Sequence, residues 1–433
     1  MSSSSRTKAP TSTRTRRNYG VSSSPSKIVA DLDDVLLHIL SFLPIKALIK
    51  CKRVSKRWRS LITNPNFSNR IITSKHPLPI SGLYLQGTRR EIEYRFVSLD
   101  NDQLSLPSQL RFADHPTSII VVQSTNGLLL CKCTCHPNHF NRNYYVYNPT
   151  TKQKTLLPPI TDHVSLSLAF DPSISPHYKV FCLRKSISSV SSASSASSVS
   201  PVSSVYSVSS DLYHIEVYSS NEGPWRRVTS VPSFTLPQTL TDLSNTVFWN
   251  GAVHWFWFGP NSRDCLSFDI SREEIKTLPL PYLDYQDYDE TPDVGTLSFT
   301  EESRGNLHFI EVNDLGSSDL PVYEMETNSS TWSLKHHVDL EPLAAAFPEI
   351  VRTEYYTYRK IYSFSVIGFV KGETDAESYI VLHIPKMAVK YNFVSKTFKK
   401  LCSFEPSQDD DDGGDNFYGF RRSFQFIESL ANV

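Results

Sequence analysis

Asp31-Leu-Asp-Asp-Val-Leu-Leu-His-Ile-Leu-Ser-Phe-Leu-Pro-Ile-Lys-Ala-Leu-Ile-Lys-Cys-Lys-Arg-Val-Ser-Lys-Arg-Trp-Arg-Ser-Leu-Ile62 carries a helical period through its apolar residues. Asp33 or Asp34 can cap a helix start, and Val35, Leu36, Ile39, Leu40 and Leu43 then fall on one face. Leu37 and Phe42 lie outside that face, so a helix here is expected to be buried on two sides rather than along one stripe. Pro44 stops this helix or starts the next. Residues 45–51 give a short second helix with Ile45, Leu48 and Cys51 apolar. In a third, Val54, Trp58, Leu61 and Ile62 share a face while Lys52, Arg53, Lys56, Arg57 and Arg59 fill much of the remainder, and Asn64-Pro65 ends it. Chains below ~40 residues seldom stabilise a core alone, so this segment needs a partner. Either the rest of the chain or another protein could supply it.

Outward from this segment the pattern changes. From about residue 80 the chain reads as short β-like runs broken by Gly, Pro, Asn and Asp. One hairpin-like unit recurs, as in Tyr144-Tyr-Val-Tyr-Asn-Pro-Thr-Thr-Lys-Gln-Lys-Thr-Leu-Leu and Cys265-Leu-Ser-Phe-Asp-Ile-Ser-Arg-Glu-Glu-Ile-Lys-Thr-Leu-Pro. Related stretches begin at His214, Pro321 and Val389. A Gly followed by an apolar strand precedes three of the five, at Gly127, Gly251 and Gly305. The distances from that Gly to the turn are 21 (127 to 148), 18 (251 to 269) and 20 (305 to 325). The turn positions 148, 218, 269, 325 and 392 are 70, 51, 56 and 67 residues apart, and removing a 25-residue Ser-rich tract leaves 45 in the first gap. Units of that length with four short strands suit the blades of a propeller, which bury both faces of each small sheet and leave only short edges. A β-sandwich is the structural alternative.

The flanks and the insert are of another kind. Residues 1–30 hold six Lys/Arg (Arg6, Lys8, Arg14, Arg16, Arg17, Lys27) and no acid, and residues 405–415 hold six acids and no base. Residues 186–210 contain 15 Ser among 25 and cannot build a core. The organisation expected is a disordered basic tail at 1–27, a helical domain at 28–75 and a β domain at 80–405 with a disordered Ser-rich insert at 186–210. An acidic disordered loop at 406–416 and a terminal segment at 417–433 would complete the chain. The overall charge of zero argues against a nucleic-acid binder. No apolar run reaches the ~20 residues of a membrane span, and the N-terminus lacks the apolar centre of a secretory signal. Seven Cys, an odd number, point to free thiols in a reducing compartment.

No motif for catalysis or a cofactor emerges. Cys131-Lys-Cys-Thr-Cys-His-Pro-Asn-His is the most metal-like stretch, but its alternating Cys read as one face of a strand running into a loop. Nucleophile elbow, His-Glu-x-x-His and Gly-rich phosphate loop are all missing. Trp225, Trp249, Trp255, Trp257 and Trp332 read as blade core rather than a ligand surface.

The helical segment resembles the F-box, through Asp34, Val35, Leu36, Ile39, Leu40, Leu43, Pro44, Leu48, Val54, Ser55, Lys56, Trp58, Leu61 and Ile62. The family's leading Leu-Pro is replaced by Asp31-Leu32, which implies a looser helix entry and weaker adaptor binding. Much of 80–405 is similar to the F-box-associated region of plant Kelch-like F-box proteins. The residues that carry this include Ser124-Thr-Asn-Gly-Leu-Leu-Leu-Cys, Tyr147-Asn-Pro-Thr-Thr-Lys, Leu168-Ala-Phe-Asp-Pro and Asn250-Gly-Ala-Val-His-Trp, although the Kelch double-Gly signature is absent.

The two resemblances imply an α+β multidomain chain, with a three-helix F-box ahead of an all-β propeller-like domain. They imply a non-catalytic substrate-recognition subunit of a Skp-cullin-F-box ubiquitin ligase, working in the nucleus or cytoplasm. Its partners would be a Skp-type adaptor, through it a cullin, and a protein substrate that the sequence does not identify. The adaptor-facing residues expected are Leu36, Ile39, Leu40, Pro44, Ile45, Leu48 and Trp58, with some of these internal core instead. Two rivals are an adaptor-binding protein acting outside a ligase and a nucleic-acid-associated repeat protein.

Overall fold

The computed structural model describes residues 33–87, 94–99, 119–133, 143–160, 163–186, 211–236, 243, 245–259, 262–281, 297–312, 316–353, 360–404 and 420–433. The basic tail, most of the Ser-rich insert, the acidic run, and His136 and His139 of the metal-like stretch lie outside them, as does Asp31-Leu32. The chain divides after Ile62 into two compact units.

The first unit holds helices α1 (Asp33–Ser41), α2 (Ile45–Cys51) and α3 (Lys56–Thr63). Pro44 caps α2 in an extended conformation and its carbonyl accepts the Leu48 amide at 3.0 Å. Ser55 receives the Trp58 amide on its hydroxyl at 3.1 Å, so α3 begins at Lys56, two residues after Val54 rather than at it. Arg57 grips Asp33 with two donors, Nε at 2.9 Å and Nη2 at 2.6 Å, tying α3 to the start of α1. A fourth helix, α4 (Pro65–Ser74), is capped by Asn64 and belongs to the second unit, where the Thr73 hydroxyl donates to the Pro172 carbonyl at 2.8 Å.

The second unit is a six-bladed propeller of antiparallel sheets. Blade I is Ile119–Thr125, Leu128–Cys133, Asn143–Asn148 and Gln153–Leu156. Blade II is His163–Ala169, Lys179–Lys185, Leu212–Ser219 and Arg226–Arg227, with Phe234–Thr235 also paired to its third strand. Blade III runs Asn245–Trp249, Ala252–Gly259, Ser262–Asp269 and Glu274–Thr277. Blade IV runs Leu297–Ser303, Asn306–Val312, Asp319–Met325 and Ser333–Asp339. Blade V is Ser365–Val370, Tyr379–Ile384, Met387–Asn392 and Phe398–Ser403. Blade VI is made from both ends of the unit: Phe420–Ile427 is innermost, followed by Ile80–Gly87 and Tyr94–Ser98. The innermost strands of consecutive blades touch in a closed ring, VI against both V and I. This radial order excludes the sandwich. It also carries the β domain past the boundary at 405, because the first and last strands complete one sheet.

The repeated sequence units have a direct structural counterpart. Asn126-Gly127, Asn250-Gly251 and Arg304-Gly305 are the turns between first and second strands, and all six residues have positive φ, as two-residue hairpin turns of this hand demand. At Gly127 a side chain would also meet the Ser429 Cβ at 2.5 Å, so the turn and the chain end pack backbone to backbone. The hairpins at 148, 269 and 392 join third and fourth strands. There Asn148, Asp269 and Asn392 each accept two backbone amides of the following turn on one side-chain oxygen.

Packing between blades supplies the core. Phe181, Leu183, Ile215 and Val217 of blade II meet Val253, Trp255, Trp257 and Phe268 of blade III. Leu83, Leu85 and Val97 of blade VI meet Ile367, Val381 and Ala388 of blade V. A strand between two such neighbours is buried on both faces, which is why Tyr379–Ile384 has six consecutive buried residues instead of an alternation. Trp249, Trp255 and Trp257 are buried in these layers. Trp225 and Trp332 are only half-buried, and their indoles reach back to the preceding blade, donating to the carbonyls of Pro158 at 3.1 Å and Pro279 at 2.7 Å.

Cys51, Cys131, Cys182, Cys265 and Cys402 are free thiols, whereas Cys133 is disulfide-bonded, a departure from the all-thiol expectation. Among the described residues no helix is long and apolar enough to cross a membrane, and no three His, Cys, Asp or Glu side chains group as metal ligands.

Candidate functional sites: the helical surface and the propeller channel

The helical unit sorts its apolar residues into two sets. Leu36, Leu40, Ile45, Leu48 and Ile62 are buried. Val35 is 39% exposed, Ile39 47%, Phe42 73% and Val54 63%. Of the seven residues expected to face an adaptor, Leu36, Leu40, Ile45 and Leu48 are therefore interior, Ile39 and Pro44 are exposed, and Trp58 is half-buried. Phe42, the most exposed large apolar side chain among the described residues of the unit, is not one of the seven; its place outside the Val35–Leu43 face is the signal that the sequence offers. His38 sits edge-on to the Phe42 ring with centroids 5.0 Å apart, which steadies the ring without covering it. The expectation of burial on two sides is thus met on one only, because these short helices cannot cover Ile39 and Phe42 on α1.

The propeller encloses a channel of about 790 Å³ lined by the innermost strands of all six blades. Side chains stand in for backbone pairing around this ring. The Gln123 amide donates to the Leu168 carbonyl at 3.0 Å and accepts the Leu168 amide at 2.7 Å, while the Thr246 hydroxyl donates to it at 3.1 Å, so one residue joins blades I, II and III. Ser124 accepts the Gln425 amide at 3.0 Å, and Gln425 in turn donates to the Glu302 carbonyl at 2.8 Å. Arg422 donates to the Val122 carbonyl at 3.0 Å. At one mouth the Tyr144 hydroxyl and His163 Nε2 share a 2.7 Å hydrogen bond.

Two carboxyls face this space. Burial raises the Glu301 carboxyl to about 8 despite the Phe369 amide it accepts at 3.1 Å, and the Glu302 charge adds to the rise. Burial raises Glu302 to about 7 against the Gly305 amide at 2.7 Å, with Asp171 adding repulsion. Between blades IV and V, buried His308 holds Glu324 at 2.9 Å and Lys371 holds it at 3.0 Å. Glu301 and Glu324 are thus engaged from blade V and Glu302 from its own blade, and the channel presents amides, hydroxyls, carboxyls and ring edges.

A helical docking unit ahead of a six-bladed propeller defines a modular binding protein. Its helices match the F-box domain over residues 33–70, and the β unit matches the F-box associated beta propeller domain over 89–408. The chain belongs to the F-box proteins that carry this propeller domain. It is 64% identical over 436 residues to the F-box protein At5g07610 of Arabidopsis thaliana, covering 100% of this chain and 99% of that one. The F-box only protein 8 of the same plant is 27% identical over 261 residues, 57% of this chain and 79% of its own. The F-box/LRR-repeat protein At2g40920, also from A. thaliana, is 26% identical over 333 residues, covering 70% and 68%. A chain of a nidogen/laminin complex is more loosely similar, with TM-score 0.38 and 9% identity over 80% of this chain and 99% of that one. The fold therefore rests on the strand order described above.

Proposed function

We propose that this protein is the substrate-recognition subunit of a Skp-cullin-F-box ubiquitin ligase. Family membership supports this, and so does one physical observation: α1 leaves Ile39 and Phe42 uncovered on a unit whose Leu36, Leu40, Ile45, Leu48 and Ile62 are already packed. Exposed apolar side chains of that size on adjacent turns are what a helical partner would bury. The adaptor surface proposed is Val35, Ile39, Phe42 and Pro44, flanked by Trp58. Leu36, Leu40, Ile45 and Leu48 act behind it by holding the helices in place. The propeller holds a protein substrate, and the ligase works by proximity: tethering raises the effective concentration of substrate lysines near the conjugating enzyme. The chain itself contributes binding and no bond chemistry, and it acts in the nucleus or cytoplasm.

The test is co-purification of the full chain with a Skp-type adaptor, comparing wild type with Ile39→Asp/Phe42→Asp. Retained binding of the wild type and loss in the variant supports the reading. Equal binding by both overturns the assigned surface, and no binding by either overturns the adaptor assignment.

A further inference from the structure

The charge of the helical unit is far from that of the chain. The whole sequence is neutral, yet residues 33–62 hold seven Lys or Arg and only two acids, Asp33 and Asp34. Asp33 is taken by Arg57. Lys50, Lys52, Arg53, Lys56 and Arg59 pair with no carboxylate among the described residues. Four of them, Lys50, Arg53, Lys56 and Arg59, are exposed. Burial lowers the Lys52 ammonium, and the Arg59 charge lowers it further, so these two cations crowd one another. Such crowding is unfavourable in the free protein and is relieved when an anionic surface arrives.

We infer that the stretch from α2 into α3 is an electrostatic docking face for an acidic surface on the adaptor, acting together with the apolar contact of α1. This rests on the adaptor reading above and adds the partner's chemistry to it. Val54, 63% exposed, sits between Arg53 and Ser55 within the cationic stretch. An exposed apolar side chain set among cations suits a protein surface with mixed acidic and apolar groups. A phosphate backbone offers nothing for it to bury. Rim charges of this kind act mainly on encounter, so their signature is in the association rate and its response to salt.

Full-length protein and a Skp-type adaptor are mixed at low and high salt, and association and dissociation are followed separately. Wild type is compared with Lys50→Gln/Arg53→Gln/Lys56→Gln/Arg59→Gln, whose folding is checked by thermal melting. A third chain has its six tail cations (Arg6, Lys8, Arg14, Arg16, Arg17, Lys27) replaced by Gln. The expected result is an association rate about tenfold lower in the helical variant at low salt, a dissociation rate within about twofold of wild type, and a difference that vanishes at high salt. Reversing the same four residues to Glu slows association further, and acid-to-Lys changes on the adaptor restore it. Salt-insensitive association, or a salt response that disappears with the tail cations alone, overturns the inference while leaving the adaptor reading intact. So does steep salt-dependent binding of DNA or RNA that the helical variant loses while its adaptor kinetics stay unchanged. If wild type fails to bind the adaptor at any salt, the reading beneath it fails as well.

Discussion

The Asn148 side-chain amide lies 2.8 Å from the carbonyl oxygen of Ala431, joining residues 283 apart in the chain. The same amide donates to the Ser429 carbonyl at 3.1 Å, while its oxygen accepts the Thr150 and Thr151 amides of its own turn. One buried residue therefore shapes the outer hairpin of blade I and clamps the chain end that follows the inner strand of blade VI. Asn148→Ala strands two carbonyls and loosens the turn, so it should cost roughly 2–4 kcal/mol of propeller stability. Asn148→Asp keeps the turn acceptor but sets a buried carboxylate oxygen against the two carbonyls, so at neutral pH it should be the least stable of the three. Denaturant unfolding of the three chains checks the order wild type, Ala, Asp. An Asp variant as stable as wild type would show that the clamp contributes little.

Neighbouring residues on α1 should separate folding from binding. Leu40 is fully buried, so Leu40→Ala should destabilise the helical unit by about 2–5 kcal/mol. Phe42 is exposed, so Phe42→Ala should leave unfolding within about 0.5 kcal/mol while weakening adaptor capture at least tenfold. Circular dichroism melts alongside titration with the adaptor would resolve the two effects. A Phe42→Ala melt shifted as far as that of Leu40→Ala would move Phe42 into the core.

The two indole contacts to preceding blades make a second pair of tests. Trp332→Phe removes the donor to Pro279 and Trp225→Phe the donor to Pro158, while most of the ring packing stays. Each should cost about 0.5–1.5 kcal/mol. The contacts sit on different blade junctions, so the double variant should show the sum of the two losses. A non-additive double variant would mean that the junctions are coupled through the ring.

Five blades left a trace in the sequence, because each repeats an Asn, Asp or Gly turn that only certain residues can make. Asn148, Asp269 and Asn392 are legible for that reason. The sixth blade was not legible, since Phe420–Ile427 and Ile80–Gly87 come from opposite ends and their pairing leaves no local spacing. On α1 the apolar period gave the helix but not its outward face. Val35 and Leu36 look equivalent in sequence, and only the packing of the unit decides that Leu36 is covered while Val35 is 39% exposed. Gln123 is illegible for another reason: its partners Leu168 and Thr246 meet it only when the ring has closed.

The carboxyls of the channel give the propeller a pH dependence whose sign is fixed by their direction of shift. Burial lifts Glu301 to about 8 and Glu302 to about 7, above the value near 4.3 of an unfolded glutamate. Between those limits the folded protein binds protons that the unfolded chain does not, so stability is greatest at the acid end and falls as pH rises through 7 to 8. Glu324 acts in the other direction. Burial would raise its carboxyl, but the bonds from His308 and Lys371 hold it at about 2, so its contribution is present above the unfolded value and is lost as pH falls towards 2. Glu301→Gln/Glu302→Gln removes the first effect and keeps an acceptor oxygen for the Phe369 and Gly305 amides. Unfolding free energies measured from about pH 5 to about pH 9 should therefore fall more steeply for wild type than for the variant from the acid end of that range, with the two curves running parallel only above about pH 8. Both carboxyls keep some exposure to the channel, so water reduces the size of the gap but not its sign. Parallel curves across that range would mean that both carboxyls are ionised in the folded protein.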